Sequence, residues 1–115
     1  MDRNKTLIKK KINKYIGLLK NYVEIDKVIL YGSWAHGNPH EFSDIDLAVF
    51  SPDFGKHKLK ELQLLSKLSW EIDETIEAIP YSSSELDAPE PTSFVYEIIN
   101  NGETIYDKPL THSRS

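Results

Sequence analysis

The chain has 115 residues, 39% hydrophobic and 28% charged, with a formal net charge of -4. That size bounds it to one small domain with one core, and the lack of cysteine excludes disulfides and thiol catalysis. No apolar run approaches the length of a membrane span, and no apolar segment follows the basic start as a secretory leader requires; a cytoplasmic protein is expected.

Residues 4–22 read as an amphipathic helix, with Leu7, Ile8, Ile12, Tyr15, Ile16 and Leu19 on one stripe and Asn4 placed to cap it. Residues 1–21 hold seven of the 14 Lys and Arg and a single acid, Asp2. Such a face can meet an acidic partner or nucleic acid. A solvated helix face explains it better, and the acidic remainder opposes affinity for a nucleic-acid backbone. Val28-Ile29-Leu30-Tyr31 is β-branched and aromatic, so it reads as a buried strand. Gly32-Ser33 ends it, with Ser33 capping a short helix and Gly37 closing that helix. A loop through Asn38-Pro39 leads to a second strand, Asp44 to about Phe50.

Residues 56–73 read as a second amphipathic helix, buried through Leu59, Leu62, Leu65, Leu68 (or Ser69) and Ile72, with Leu64 and Trp70 widening the stripe. Thr75 to Tyr81 is a third strand. Pro80 removes a donor from it, which puts the strand at an edge or ends it there. Ser83 to Asp87 is a turn. Thr92 can cap a helix over Ser93–Asn101, with Gly102 at its C′ position, and Glu103 to Tyr106 is a short fourth strand. The order helix, strand, strand, helix, strand, helix, strand indicates an α/β or α+β sheet with helices packed on it.

The chemistry gathers between Leu30 and Leu47. A strand that turns through Gly-Ser into a helix start is suited to bind an anion, because unpaired N–H groups gather there. Asp44 and Asp46 then share one face of the next strand, about 6–7 Å apart along its rise. At an effective dielectric of about 20 their repulsion is about 2–3 kcal/mol, which a divalent metal ion would offset. Mg²⁺ is commonly held by such carboxylates together with phosphate oxygens. Glu77, out of place in the middle of an apolar strand, is the candidate third acid; Asp73 and Glu74 compete with it but read as a helix end and its turn. The four histidines show no metal-ligand spacing, so no zinc is assigned. Trp70 and Tyr96 are read as core or interface residues.

Gly32-Ser33, ten residues, then Asp44-Ile45-Asp46 resembles the G-S-x(9–10)-D-x-D signature of the DNA polymerase β-type nucleotidyltransferase superfamily. The fuller string Gly32-Ser33-Trp34-Ala35-His36-Gly37, then Ser43-Asp44-Ile45-Asp46-Leu47, is similar to its smallest members, the minimal nucleotidyltransferases. Thr75-Ile76-Glu77-Ala78-Ile79-Pro80-Tyr81-Ser82 is similar to the family strand that supplies a third metal ligand. The resemblance covers roughly residues 5–106 and implies a polymerase β-like fold, a short mixed sheet flanked by helices; residues 1–107 are expected to form this domain, and 108–115, which show no pattern, a flexible tail. It implies triphosphate binding by Gly32, Ser33 and Ser43, and two Mg²⁺ ions held by Asp44, Asp46 and Glu77. The implied reaction is transfer of AMP from ATP to a hydroxyl. The implied partner is a HEPN-domain RNase toxin, silenced through AMP on a tyrosine or through complex formation alone, in a hetero- or homo-oligomer. Many relatives carry Arg where this chain has Trp34 and His36, and neither residue can pair with phosphate as Arg does.

Overall fold

Strand β1 (Lys27–Tyr31) is centrally placed because its neighbours pair with it on both sides. The computed structural model describes residues 5–36 and 44–109. Helix α1 (Lys5–Leu19) precedes β1; α2 (Ser33–His36), β2 (Ile45–Ser51), α3 (Lys58–Ser69) and β3 (Ile76–Ser82) follow. A 3-10 turn (Ser83–Leu86), α4 (Phe94–Asn101) and β4 (Glu103–Asp107) complete the order. The strands form one mixed sheet in the order β3-β2-β1-β4. β1 is antiparallel to β2 and β4, whereas β2 and β3 run parallel. A parallel pair needs a crossover, and α3 supplies it. Pro80 does lie on an edge strand, as a residue without an N–H should.

The two faces of the sheet bury different sets. Val28, Leu30, Ile45, Leu47 and Val49 pack with Ile8, Ile12, Tyr15 and Leu19 of α1 and with Leu65 and Leu68 of α3. The alternate residues Ile29, Ala48 and Phe50 pack with Val95 and Ile98 of α4. The Tyr15 hydroxyl is buried and donates to the Leu65 carbonyl at 2.7 Å. No described helix is long and apolar enough to cross a membrane.

Several local expectations are corrected. Asn4 lies outside the described residues, and α1 ends at Leu19, with a turn rather than helix over 20–22. Leu7 is 40% exposed rather than part of the buried stripe. Three of the five lysines of α1 are held by acids of the same chain: Lys5 and Lys9 reach Glu103 at 2.7 and 2.8 Å, and Lys11 reaches Asp73 at 2.7 Å. β2 begins one residue after Asp44, a difference of the size that helix and strand ends commonly show. The cap of α4 is Ser93, whose hydroxyl accepts from the Tyr96 N–H, and not Thr92. Gly102 follows α4 with φ -82°, so it is no left-handed C′ residue. Its need is for space: a Cβ there would stand 2.7 Å from the Ile98 carbonyl oxygen and 3.0 Å from that of Leu30. Beyond β4, the Lys108 N–H donates to the Asp26 carbonyl at 2.9 Å, and residues 110–115 of the expected tail lie outside the described residues.

Helix α3 departs most from its predicted pattern. Leu65 and Leu68 are buried, but Leu59 and Trp70 are largely exposed and Leu62 partly so. Glu61 turns inward instead. Its carboxylate accepts from the N–H groups of Gly55, Lys56 and His57 at 3.0–3.1 Å and closes the start of the helix. Burial alone would raise its pKa; the three backbone donors outweigh that and hold it below the usual carboxylate range. Glu61→Ala leaves those donors unpaired and should cost about 2 kcal/mol. Urea denaturation would read this as a lower midpoint with an unchanged slope, and Glu61→Gln should recover part of it.

Candidate functional site

The site is set by two strand registers. In the antiparallel pair, Tyr31 at the end of β1 stands opposite Asp46 on β2. In the parallel pair, Asp46 stands beside Glu77 on β3. Alternation along β2 puts Asp46 on the same face as Ala48 and Phe50, the face that α4 only partly covers. Asp44 is exposed, just before β2, and Glu77 is exposed on the edge strand. Asp46 between them is half-buried.

Gly32 ends β1 with φ +76°, a left-handed conformation that side chains with a Cβ disfavour. It is also the floor under Asp46. A Cβ at Gly32 would strike Asp46 Oδ2 and lie 3.3 Å from its carboxyl carbon. The glycine thus serves twice, for the turn and for the close approach. The Gly32 carbonyl accepts from the Ala35 N–H at 3.1 Å and so starts α2, with Ser33 as its first residue. Ser43 lies outside the described residues.

Electrostatics mark the same point. Burial, then the charges of Glu77 and Asp44, push the Asp46 carboxyl up to about 6. Tyr31 is pushed above its ordinary value by burial and then by Asp46, Tyr81 and Glu77, so its hydroxyl keeps its proton. Tyr31 was read from sequence only as a strand residue. Its place directly before Gly32 is the signal that could have assigned it to the site. Phe94 of α4 stands edge-on to it, centroids 5.6 Å apart. A cavity of about 240 Å³ opens between Tyr31–Gly32 and α4, lined also by Phe94, Glu97 and Asn101. On the other flank, a groove of about 530 Å³ includes Glu77. Trp34 is 4% exposed and belongs to the core, so it offers no face to a phosphate.

The donor chemistry suits a hard divalent cation. Asp44, Asp46 and Glu77 offer only carboxylate oxygens, and their repulsion adds to burial in raising the Asp46 pKa. Among the described residues no three His, Cys, Asp or Glu side chains are gathered into a ready-made metal cluster. The fit is therefore one of donor type and adjacency, in which the side chains would close around the ion. Asp73, the rejected competitor, is engaged elsewhere: it accepts from Lys11 and from both the N–H and hydroxyl of Thr75. Burial would raise it, but those donors prevail and hold it at about 2.

Gly32→Ala should cost about 1–2 kcal/mol from the left-handed backbone alone and should displace the Asp46 carboxylate as well. Denaturation would show the first effect, and a changed titration of the Asp46 carboxyl the second. The metal-free protein should also respond to pH through Asp46. Its folded pKa, about 6, lies above the ordinary 3.8, so the folded form holds a proton that the unfolded chain releases between them. Stability is then highest below pH 3.8 for this group and falls as pH rises through about 6. After discounting for solvent screening of a half-exposed group, the loss is about 1 kcal/mol. Melting curves between pH 4.5 and 7 should show it in the wild type, and Asp46→Asn should flatten it.

Residues 10–110 match the Polymerase beta, Nucleotidyltransferase family. A candidate protein adenylyltransferase of Methanocaldococcus jannaschii is 33% identical over 81 residues, covering 69% of this chain and 77% of that protein. The protein adenylyltransferase MntA of Shewanella oneidensis is 26% identical over 95 residues, covering 82% of this chain and 63% of MntA. The fold resembles the crystal structure of a toxin–antitoxin with AMP-PNP, with TM-score 0.57 at 20% identity, over 87% of this chain and 73% of that one. At that identity the likeness is one of fold. By the match across most of its length, the chain belongs to the polymerase β nucleotidyltransferase family, whose chemistry is transfer of a nucleotidyl group.

Proposed function

We propose that the chain is an antitoxin that transfers AMP from ATP to a protein hydroxyl, a tyrosine of a HEPN-domain RNase toxin. The observation that carries this reading is the seating of Asp46 over Gly32 and beside Glu77. The names of the relatives support a protein acceptor, and the AMP-PNP in the fold neighbour supports ATP. Asp44, Asp46 and Glu77 would hold two Mg²⁺ ions, which when bound would offset the negative charge of the triphosphate. The backbone at Gly32 and Ser33, with Ser43, receives the phosphates. The acceptor oxygen attacks the α-phosphorus and forms an O–P bond. The bond from that phosphorus to the bridging oxygen breaks, and pyrophosphate leaves. Glu77 orients the acceptor hydroxyl and takes its proton.

The burial of Trp34 favours a second reading, neutralisation chiefly by complex formation, because that position then supplies no contact to the triphosphate. ATP labelled on its α-phosphate, Mg²⁺ and the cognate toxin distinguish the two. Under the catalytic reading the toxin acquires the label. Asp46→Asn and Glu77→Gln should each lower the rate by about 100-fold or more while the toxin complex still forms. Equal protection of cells by Asp46→Asn and the wild type would sink catalysis as the basis of protection.

A further inference from the structure

Helix α3 carries an apolar stripe that the core does not use. Leu59, Leu62 and Trp70 are 69%, 36% and 68% exposed. Spaced at i, i+3 and i+11, they share one side of the helix, with Ser66 between them. The stripe runs about 16 Å along the axis. Leu62, Ser66 and Trp70 form one wall of the 530 Å³ groove, and the edge strand β3 forms the other through Ile76 and Ile79. Glu74 and Glu77 line the same groove, and no Lys or Arg does among the described residues.

We propose that this groove docks the protein that receives the nucleotide, and that its occupant is an amphipathic helix with an apolar stripe and basic flanks. The proposal rests on the protein-modifying reading above and adds the surface and the kind of segment. Three observations select that occupant. Glu77 belongs to both the groove and the carboxylate cluster, so a chain seated here lies beside the acid assigned to the acceptor hydroxyl. The exposed acids Glu74 and Glu77, with Glu71 next to Trp70, call for positive charge opposite them. The exposed helical stripe matches helix-in-groove recognition, whereas Pro80 deprives the β3 edge of a donor that strand addition would use. A second copy of this chain fits less well. Its basic helix α1 has its apolar face in its own core, and Lys5, Lys9 and Lys11 already meet Glu103 and Asp73.

The test uses the full chain and, as probe, the cognate toxin on which the proposed function rests. Affinity is measured by calorimetry without ATP, and tryptophan emission is followed in parallel. Trp34 is buried and Trp70 exposed, so a blue shift on binding reports Trp70. The double variant Leu62→Ser/Trp70→Ser should weaken the complex at least tenfold, and Glu74→Lys should weaken it as well. Both should keep the wild-type melting curve and Mg²⁺–ATP affinity. Wild-type affinity in the double variant overturns the proposal, as does absence of any complex with the wild type. So does a result in which the variant loses only self-association in sedimentation, which would assign the groove to a second copy. Failure of the functional reading looks different. A complex weakened by the variant with no label transferred by the wild type sinks the transfer and leaves the docking surface. Transfer with an unchanged KM in the double variant does the reverse.

Discussion

The carboxylate of Asp46 rests on the α-carbon of Gly32, and the site depends on that contact. It needs a left-handed glycine at the end of β1 and the register that sets Tyr31 against Asp46. A slip of one residue would send every side chain of β2 to the opposite face. What prevents the slip lies on the far side of the sheet. Ile45, Leu47 and Val49 are fully buried against α1 and α3, so the core holds β2 in the one register that also aims Asp46 at the turn. The parallel pairing of β2 with β3 then brings in Glu77 from thirty-one residues away.

Two aspartates of this chain show what the arrangement costs. Asp73 has Lys11 and Thr75 around it, and its pKa falls to about 2 despite burial. Asp46 has Glu77 and Asp44 around it, so burial first and those charges second raise its pKa to about 6. The lysines of α1 neutralise Glu103 and Asp73, acids that tie the helix to β4 and to the turn before β3. They leave the cluster at Asp46 uncompensated. A fold that pairs Asp73 and Glu103 with lysines and leaves half-buried Asp46 beside two further acids carries a local conflict where folding alone would not place one, and such conflicts are expected at functional positions.

The parts legible in the sequence are those where one residue type has one physical use. Alternation put Asp46 on the face opposite Ile45 and Leu47, Pro80 put β3 at an edge, and β-branched runs marked the strands. The illegible parts are those where a side chain had two uses. Leu59 and Trp70 fit the helical period of the buried stripe, yet α3 has apolar residues on two sides: Leu64, Leu65 and Leu68 pack against the core, while Leu59, Leu62 and Trp70 stay exposed. Nothing in the sequence around Glu61 marks it as buried; the open backbone donors before α3 draw it in. Trp34 cannot pair with phosphate as Arg does, and that it packs into the core is visible only once the helices lie on the sheet. Tyr31 passed as strand filler because its register partner is known only once β1 and β2 are paired.

Strand order gives the site its direction. An in-line displacement at phosphorus needs the entering and leaving oxygens on opposite sides. Gly32 lies at the end of β1, Asp46 on β2 and Glu77 on β3, and the sheet sets these strands side by side with β2 between the others. One opening, at Tyr31 and Gly32, therefore lies on the β1 flank of Asp46, and the other, at Glu77 and α3, lies on its β3 flank. Phosphates received at the glycine turn and an acceptor entering past Glu77 would approach Asp46 from opposite flanks. The antiparallel hairpin supplies one flank and the α3 crossover the other. The division of labour in the proposed reaction thus follows from how β2 pairs with its two neighbours, and not from the Asp-x-Asp motif alone.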